Sequence, residues 1–145
     1  MPTRGDNDVG RFSVEIELAH DGDLEMVSRG LLPPNQVRRE TIRGVVDTGA
    51  TRLVLPEAVV KRLGPPVGGP VPVKYADGRR GRRKLAKRVF AQLLGRDGIF
   101  SAIVEPKRDT ALIGAIVLEE LDLLVDCKNH RLVPRDPSGP LSEIE

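Results

Sequence analysis

A run of alternating apolar and polar residues near the start of the chain most limits the folds that this sequence can adopt. Phe12, Val14, Ile16 and Leu18 alternate with polar residues, and this period of two places one side of a β-strand on a core and the other in water. Further short extended segments follow, separated by Asp-Gly pairs, glycine and proline. The pattern predicts a mostly β protein with one or two brief helices, built either as a small barrel or as a sandwich.

Length and composition predict a single domain. The chain has 145 residues, of which 39% are hydrophobic and 30% charged, and this balance suits one globular unit. It contains three Phe, one Tyr and no Trp, so the core must come mainly from Val, Leu, Ile and Ala. We expect a disordered lead-in over residues 1–10, a folded domain over residues 11–134 and a flexible tail over residues 135–145. The net charge of +2 argues against a molecule that binds polyanions over its whole surface.

Turn signals and helix caps divide the rest of the chain into elements. Residues 20–34 contain an Asp-Gly pair and two consecutive prolines, so we expect a loop or an irregular hairpin there. The other elements are predicted from extended patterns, helical spacing and caps. In chain order they are strands at 39–46 and 51–55, a helix from Pro56 to a stop at Gly64, a hairpin over 71–94, a strand at 99–104, a helix at 115–121 and strands at 123–126 and 131–133.

The N-terminal residues and the cysteine count indicate a cytoplasmic protein. Residues 1–6 lack the apolar segment of a signal peptide, and no apolar run is long enough to cross a bilayer, so we expect no membrane partner. The single cysteine, Cys127, excludes an internal disulfide and agrees with a reducing compartment. Cys127 and His130 have a spacing found in metal sites, but the sequence has no second pair. We therefore predict no metal site and expect Cys127 to be a small buried hydrophobe.

The main candidate for chemistry is a carboxylate at the end of an apolar run. Asp47 follows Val45 and Val46 and stands between Gly44 and Gly49. Glycine on both sides lets the backbone turn sharply or come close to another group. Asp, Thr and Gly are also ordinary turn residues, so the tripeptide by itself is weak evidence for catalysis.

A set of motifs in order resembles the retroviral-type aspartic proteases, and most closely the single-domain retropepsin-like proteins of bacteria and archaea. The resemblance covers roughly residues 10–134 and depends on four features. They are the loop Val45-Val46-Asp47-Thr48-Gly49-Ala50, the hairpin turn Tyr75-Ala76-Asp77-Gly78, the element Leu112-Ile113-Gly114, and the helix Val117 to Leu121 with the strand Leu124 to Asp126 after it. The resemblance implies a small closed β-barrel of the retropepsin type with a flap hairpin.

The resemblance also implies an aspartic endopeptidase that needs no cofactor. In that family two aspartates about 3 Å apart share a proton, so that one activates water while the other polarises the scissile carbonyl. This chain has one Asp-Thr-Gly, and Asp109-Thr110-Ala111 lacks the glycine. The second aspartate would therefore be Asp47 of another copy, on the axis of a two-fold homodimer.

Roles for the residues around Asp47 follow from the same resemblance. In the active-site loop that runs on through Ala50 and Thr51, Thr48 would form a hydrogen bond across the axis and Gly49 would leave room for substrate. The loop would be backed by Leu112, Ile113 and Gly114. A peptide or protein substrate would be covered by the flap, whose turn consists of Tyr75, Ala76, Asp77 and Gly78.

Other functions stay open at the level of sequence. The same fold could serve as a non-catalytic module that binds protein or nucleic acid, or as a protease active only on its own precursor or when paired with another chain. The cations between Arg79 and Arg88 would allow binding of nucleic acid or selection of acidic peptides. Only Tyr75 and Phe90 flank them, too few aromatic residues for base stacking, so the sequence favours a solvated hairpin over a nucleic-acid site.

Overall fold

Nine strands and three α-helices make up the part of the chain that the computed structural model describes, residues 11–145. The strands are β1 (Phe12–His20), β2 (Arg39–Val46), β3 (Leu53–Pro56), β4 (Val67–Lys74), β5 (Arg80–Leu93), β6 (Arg96–Glu105), β7 (Ala111–Ile113), β8 (Leu123–Asp126) and β9 (Arg131–Pro134). The helices are α1 (Asp21–Ser28), α2 (Glu57–Leu63) and α3 (Ala115–Leu121), and a 3₁₀ helix covers Pro34–Gln36. The lead-in predicted for residues 1–10 lies outside the described residues.

Six of these strands form a closed barrel. Their order is β1-β2-β7-β3-β6-β5, and β5 returns to pair with β1. Closure leaves no free edge in this ring, which is how small barrels satisfy the backbone hydrogen bonds of all their strands. The ring does not include β4, which pairs with β5, so the β4–β5 hairpin extends beyond the barrel. The predicted small closed β-barrel is confirmed, and the sandwich is excluded.

The core fills the barrel and continues under two helices. In β1, the buried residues Ile16 and Leu18 belong to the alternating set that predicted the strand. Both α2 and α3 turn three apolar side chains onto the core, namely Val59, Val60 and Leu63 from α2 and Val117, Leu118 and Leu121 from α3. Aliphatic residues and alanine supply almost all of this core, as the scarcity of aromatic residues predicted. None of the described helices is long and apolar enough to cross a membrane.

Helix α1 stands where the sequence predicted a loop or irregular hairpin, and that prediction is wrong. His20 caps the helix because its Nδ1 accepts a hydrogen bond of 2.9 Å from the backbone N–H of Asp23. The carboxylate of Asp23 also binds the backbone N–H and the guanidinium of Arg38, at 2.8 to 3.0 Å. The helix buries none of its residues, so its sequence has no apolar period to reveal it. Polar contacts to the following segment hold it instead.

A buried arginine connects the end of α3 to the C-terminal residues. Arg96 is 8% exposed and donates hydrogen bonds of 3.0 Å to the carbonyl oxygens of Leu121 and Asp122, and it also donates to that of Asp136. These contacts satisfy carbonyls that a helix end leaves without partners. Residues 135–145 contain no helix or strand, yet Arg96 gives them a fixed point on the domain. The flexibility predicted for this tail stays a prediction.

Candidate active site

Asp47 is the first residue after β2, and its own loop holds its carboxylate in place. The backbone N–H of Asp47 donates to the carbonyl oxygen of Ile113 at 3.0 Å, and its carbonyl accepts from the N–H of Ala50 at 3.1 Å. Its Oδ1 accepts a hydrogen bond of 2.9 Å from the N–H of Gly49. The side chain is 26% exposed. A carboxylate is thus presented at the surface in a fixed orientation, held by its own loop through Oδ1.

The strand β7 and the start of α3 support this loop from beneath. β7 runs parallel to β2, with Val46 opposite Ile113, and it also contacts β3 through Leu112. Beyond β7, the N–H groups of Ala115 and Ile116 donate to the carbonyl oxygens of Ala50 and Thr51 at 2.8 and 3.0 Å. Both ends of the Asp47 loop are therefore anchored by backbone hydrogen bonds to one continuous segment.

Gly114 lies at the point where this support is tightest. A Cβ atom added there would lie 2.6 Å from the carbonyl oxygen of Arg52 and 2.7 Å from that of Ala50. Both neighbours are backbone atoms, which cannot move away as a flexible side chain can. The residue at this position must therefore be glycine if the loop is to keep its position, because any other residue would push the loop outward.

Two arginines that the sequence analysis missed lie near Asp47. Arg11 Nη2 is 3.5 Å from Asp47 Oδ2. Arg108 donates a hydrogen bond of 2.7 Å to the carbonyl oxygen of Thr110. Partial burial lowers the pKa of its guanidinium, and the nearby charge of Arg11 lowers it further. The carboxylates of Asp109, Glu105 and Asp47 act in the opposite direction. The position of Arg11 could have been inferred only from strand register, since Phe12 pairs with Val46 and so brings Arg11 beside Asp47.

The hairpin predicted to act as a flap is present, and one carboxylate ties it to the barrel. Its turn is closed by the hydrogen bond of 2.8 Å from Tyr75 N–H to the Arg79 carbonyl. Glu105, at the end of β6, accepts from the Tyr75 hydroxyl at 2.8 Å and from Arg83 Nε at 2.9 Å. Burial, with the hydrogen bond to Glu105, raises the pKa of the Tyr75 hydroxyl. The hydroxyl therefore stays protonated and keeps donating to Glu105 throughout the neutral range.

The structure brings some of the sequence-predicted residues together and keeps others apart. The Asp47 loop meets Leu112, Ile113 and Gly114 directly, whereas no hydrogen bond within residues 11–145 joins the loop to the turn at Tyr75-Ala76-Asp77-Gly78. The catalytic, flap and substrate-binding roles of these residues stay predictions.

Cys127 and His130 both lie in the turn between β8 and β9. Cys127 is exposed, so the prediction that it is a buried hydrophobe is wrong; it lies in the turn between β8 and β9, outside the core. The ring of His130 stacks on that of Phe12, with 6.1 Å between centroids. Within the described part of the chain, no three His, Cys, Asp or Glu side chains lie close enough together to hold a metal ion.

Comparison with solved structures identifies the barrel as the fold of a retroviral protease. The EIAV protease complexed with the inhibitor HBY-793 matches it with a TM-score of 0.52 at 16% sequence identity, over 75% of this chain and 86% of that one. Similarity at this level of identity establishes the fold alone, since one fold can serve several functions. The predicted retropepsin-like fold is confirmed. No protein-family model matches the sequence, and no curated protein matches it.

Proposed function

We propose that this chain is an aspartic endopeptidase whose catalytic pair forms across a homodimer, with one Asp47 from each subunit. The observation that carries the proposal is the Asp47 carboxylate. It is partly exposed and oriented by the Gly49 N–H, on a barrel with the fold of a retroviral protease. The buried support under the loop is what a catalytic carboxylate needs, because small errors of position cost large factors in rate.

Symmetry would supply the second carboxylate. The sequence contains one Asp-Thr-Gly, so a single chain has one such loop. A two-fold axis passing beside Thr48 and Gly49, which are both exposed, would bring two copies of the loop face to face. Two carboxylates at about 3 Å cannot both ionise easily, so the pair would hold one proton between them.

The reaction then follows from this shared proton. The ionised carboxylate removes a proton from a bound water while the protonated one donates a hydrogen bond to the scissile carbonyl. The water oxygen adds to the carbonyl carbon, and the tetrahedral intermediate collapses as the leaving nitrogen is protonated and the C–N bond breaks. By symmetry an Arg11 would lie beside each carboxylate of the pair, with its Nη2 3.5 Å from Asp47 Oδ2, and would add positive charge to the site.

The test compares the wild-type protein with Asp47→Asn on a diverse peptide mixture between acidic and neutral pH, with products read by mass spectrometry. Asp109→Asn is the matched control, because Asp109 begins the other Asp-Thr pair of the chain and is exposed. We expect Asp47→Asn to lose cleavage by about 10³-fold or more, since removal of an essential catalytic group has effects of this order, and Asp109→Asn to keep it.

Two results would remove the proposal. Cleavage that survives in Asp47→Asn would mean that another group does the chemistry, and a protein that sediments as a monomer at every concentration would have no pair of aspartates. A dimer that cleaves none of the peptides would favour the alternative, a non-catalytic binding module on the same barrel.

A further inference from the structure

The cations of the β4–β5 hairpin lie on the two opposite faces of its strands, and the faces differ in whether carboxylates lie beside those cations. Cross-strand partners share a face of a sheet, and Lys74 pairs with Arg80 while Val73 pairs with Gly81. The first face, called the outer face here, consists of Pro72, Lys74, Arg80, Arg82 and Lys84, all of them exposed. The opposite face consists of Val71, Val73, Tyr75, Gly81 and Arg83, all of them partly buried.

Carboxylates neutralise the arginines at Tyr75. Arg83 forms an ion pair of 2.9 Å with Glu105, and Arg79 forms one of 2.8 Å with Asp77. Both guanidinium groups also lie over the Tyr75 ring, that of Arg79 at 4.8 Å and that of Arg83 at 5.7 Å from its centroid. Arg79 thus stabilises the hairpin turn, and Arg83 attaches the hairpin to the barrel.

The outer face carries four cations, and none of them forms an ion pair with any residue between 11 and 145. Lys74 stands directly opposite Arg80, an arrangement of like charges that destabilises a hairpin. Arg80, Arg82 and Lys84 follow at every second position of β5, so their attachment points are about 6.7 Å apart along the strand. The result is a row of positive charge that no carboxylate among residues 11–145 pairs with.

Protection of a free sheet edge accounts for part of this row at most. Residues 80–84 of β5 pair with β4 alone, because the pairing of β5 with β6 begins at Leu85 and its pairing with β1 at Val89, and cations commonly guard such an edge. The edge of β4 is different, since Pro70 and Pro72 already lack the N–H groups that an added strand would require, so guarding an edge leaves Lys74 unexplained. On the β4 side the prolines also disfavour a peptide partner that would bind by extending the sheet.

We infer that the outer face of the β4–β5 hairpin binds the phosphate backbone of a single-stranded nucleic acid. A row of cations with two arginines suits phosphates, which need charge and hydrogen-bond donors and no strand pairing. Tyr75 lies on the other face and is held by Glu105, so the outer face has no aromatic ring for base stacking. Binding therefore depends on charge, is independent of base sequence and weakens steeply with salt.

The salt dependence has a calculable size. Four contacts between cations and a single strand give a slope of log K against log salt of about −0.7 per contact, or about −2.8 in total. Raising the salt fourfold, from about 50 to about 200 mM, should then weaken binding by about 50-fold. The inference does not depend on catalysis, so Asp47→Asn should bind as the wild type does.

The experiment measures fluorescence anisotropy of a labelled single-stranded dT oligonucleotide of about 20 nucleotides, titrated with the full chain at several salt concentrations. Arg80→Gln with Arg82→Gln removes two outer-face charges, and Lys74→Gln with Lys84→Gln removes the other two. The matched control is Lys61→Gln with Lys128→Gln, which removes the same charge from exposed positions on α2 and in the β8–β9 turn. Thermal unfolding verifies that each variant is folded.

We expect each outer-face pair of substitutions to weaken binding at low salt by about tenfold or more and to reduce the slope by about 1.4, while the control changes little. Three results would overturn the inference. They are no binding of the wild type at low salt, equal weakening by the control pair, and binding of poly-glutamate of matched charge as tight as that of the oligonucleotide. The last result would identify an acidic protein segment as the partner.

Discussion

Replacing Gly114 by alanine should displace the loop that carries Asp47. The added methyl group would lie 2.6 and 2.7 Å from the carbonyl oxygens of Arg52 and Ala50, and overpacking of this kind costs about 1–3 kcal/mol. If the loop moves to relieve it, the hydrogen bonds from Ala115 and Ile116 to the loop are weakened, at about 0.5–1.5 kcal/mol each. Because movement of the loop relieves the overpacking, the two costs are not added, and the free energy of unfolding should fall by about 1–3 kcal/mol.

Thermal unfolding and peptide cleavage measure this effect separately. A chain of this size loses about 4 °C of Tm per kcal/mol, so the Tm should fall by roughly 4–12 °C. Cleavage measured well below the new Tm should also fall, by about 100-fold for a displacement of about 1 Å at the catalytic group. The Tm reports the packing, and the rate reports the position of Asp47.

Gly81→Ala is the matched control, because a Cβ atom there would meet its nearest neighbours at 3.6 to 3.8 Å, which is ordinary contact. It should change stability by less than about 1 kcal/mol and can even raise it by restricting the unfolded chain. A Gly114→Ala protein with wild-type Tm and wild-type cleavage would refute the argument that Gly114 sets the position of the loop.

Three further changes follow from named contacts. Arg38 lowers the pKa of the Asp23 carboxyl well below its ordinary 3.8. This carboxylate therefore stabilises the folded state above about pH 4 and loses that contribution as the pH falls. Asp23→Asn should lower the Tm at pH 6 and flatten the Tm–pH profile on the acidic side. Glu105→Gln weakens the charged contacts to Tyr75 and Arg83 and should speed amide hydrogen exchange in the hairpin while the barrel stays protected. Arg96→Met leaves the buried carbonyl oxygen of Leu121 without its side-chain donor and leaves that of Asp122 with only the N–H of Arg135, and it should cost about 1–3 kcal/mol in urea unfolding.

Each of these predictions has a result that contradicts it. Parallel Tm–pH profiles for Asp23→Asn and wild type would mean that the ion pair with Arg38 contributes nothing measurable. Unchanged exchange in Glu105→Gln would show that the hairpin is held by other contacts. A urea midpoint for Arg96→Met equal to that of the wild type would show that the Leu121 carbonyl finds another donor.

Local patterns in the sequence were sufficient for the barrel strands and the Asp47 loop. The alternation of Phe12, Val14, Ile16 and Leu18 with polar residues predicts a strand with one buried face, and this pattern can be recognised from neighbouring residues alone. The glycines around Asp47, the cap at Gly64 and the apolar spacing of α3 are equally local. These signals predicted a mostly β protein and left a barrel and a sandwich open; the closed barrel was predicted only from the resemblance to the retropepsin-like proteins.

Features that depend on register and on distant contacts appeared only in the tertiary structure. Helix α1 has no apolar period and is held by the bond between Asp23 and Arg38, which lie 15 positions apart. Arg11 comes close to Asp47 only because β1 and β2 pair in one particular register. The cations of the hairpin appear as one run in sequence, but strand pairing separates those that meet a carboxylate from those that face solvent.

The sequence by itself thus determined the class of fold and the carboxylate on which the proposed chemistry depends, because strand period and turn chemistry are encoded within a few residues. The tertiary structure alone decided which charged groups surround that carboxylate, how Glu105 ties down the hairpin and which face of the hairpin stays unbalanced. Those outcomes require residues far apart in the chain to meet at distances of about 3 Å, where charge and hydrogen bonding act most strongly.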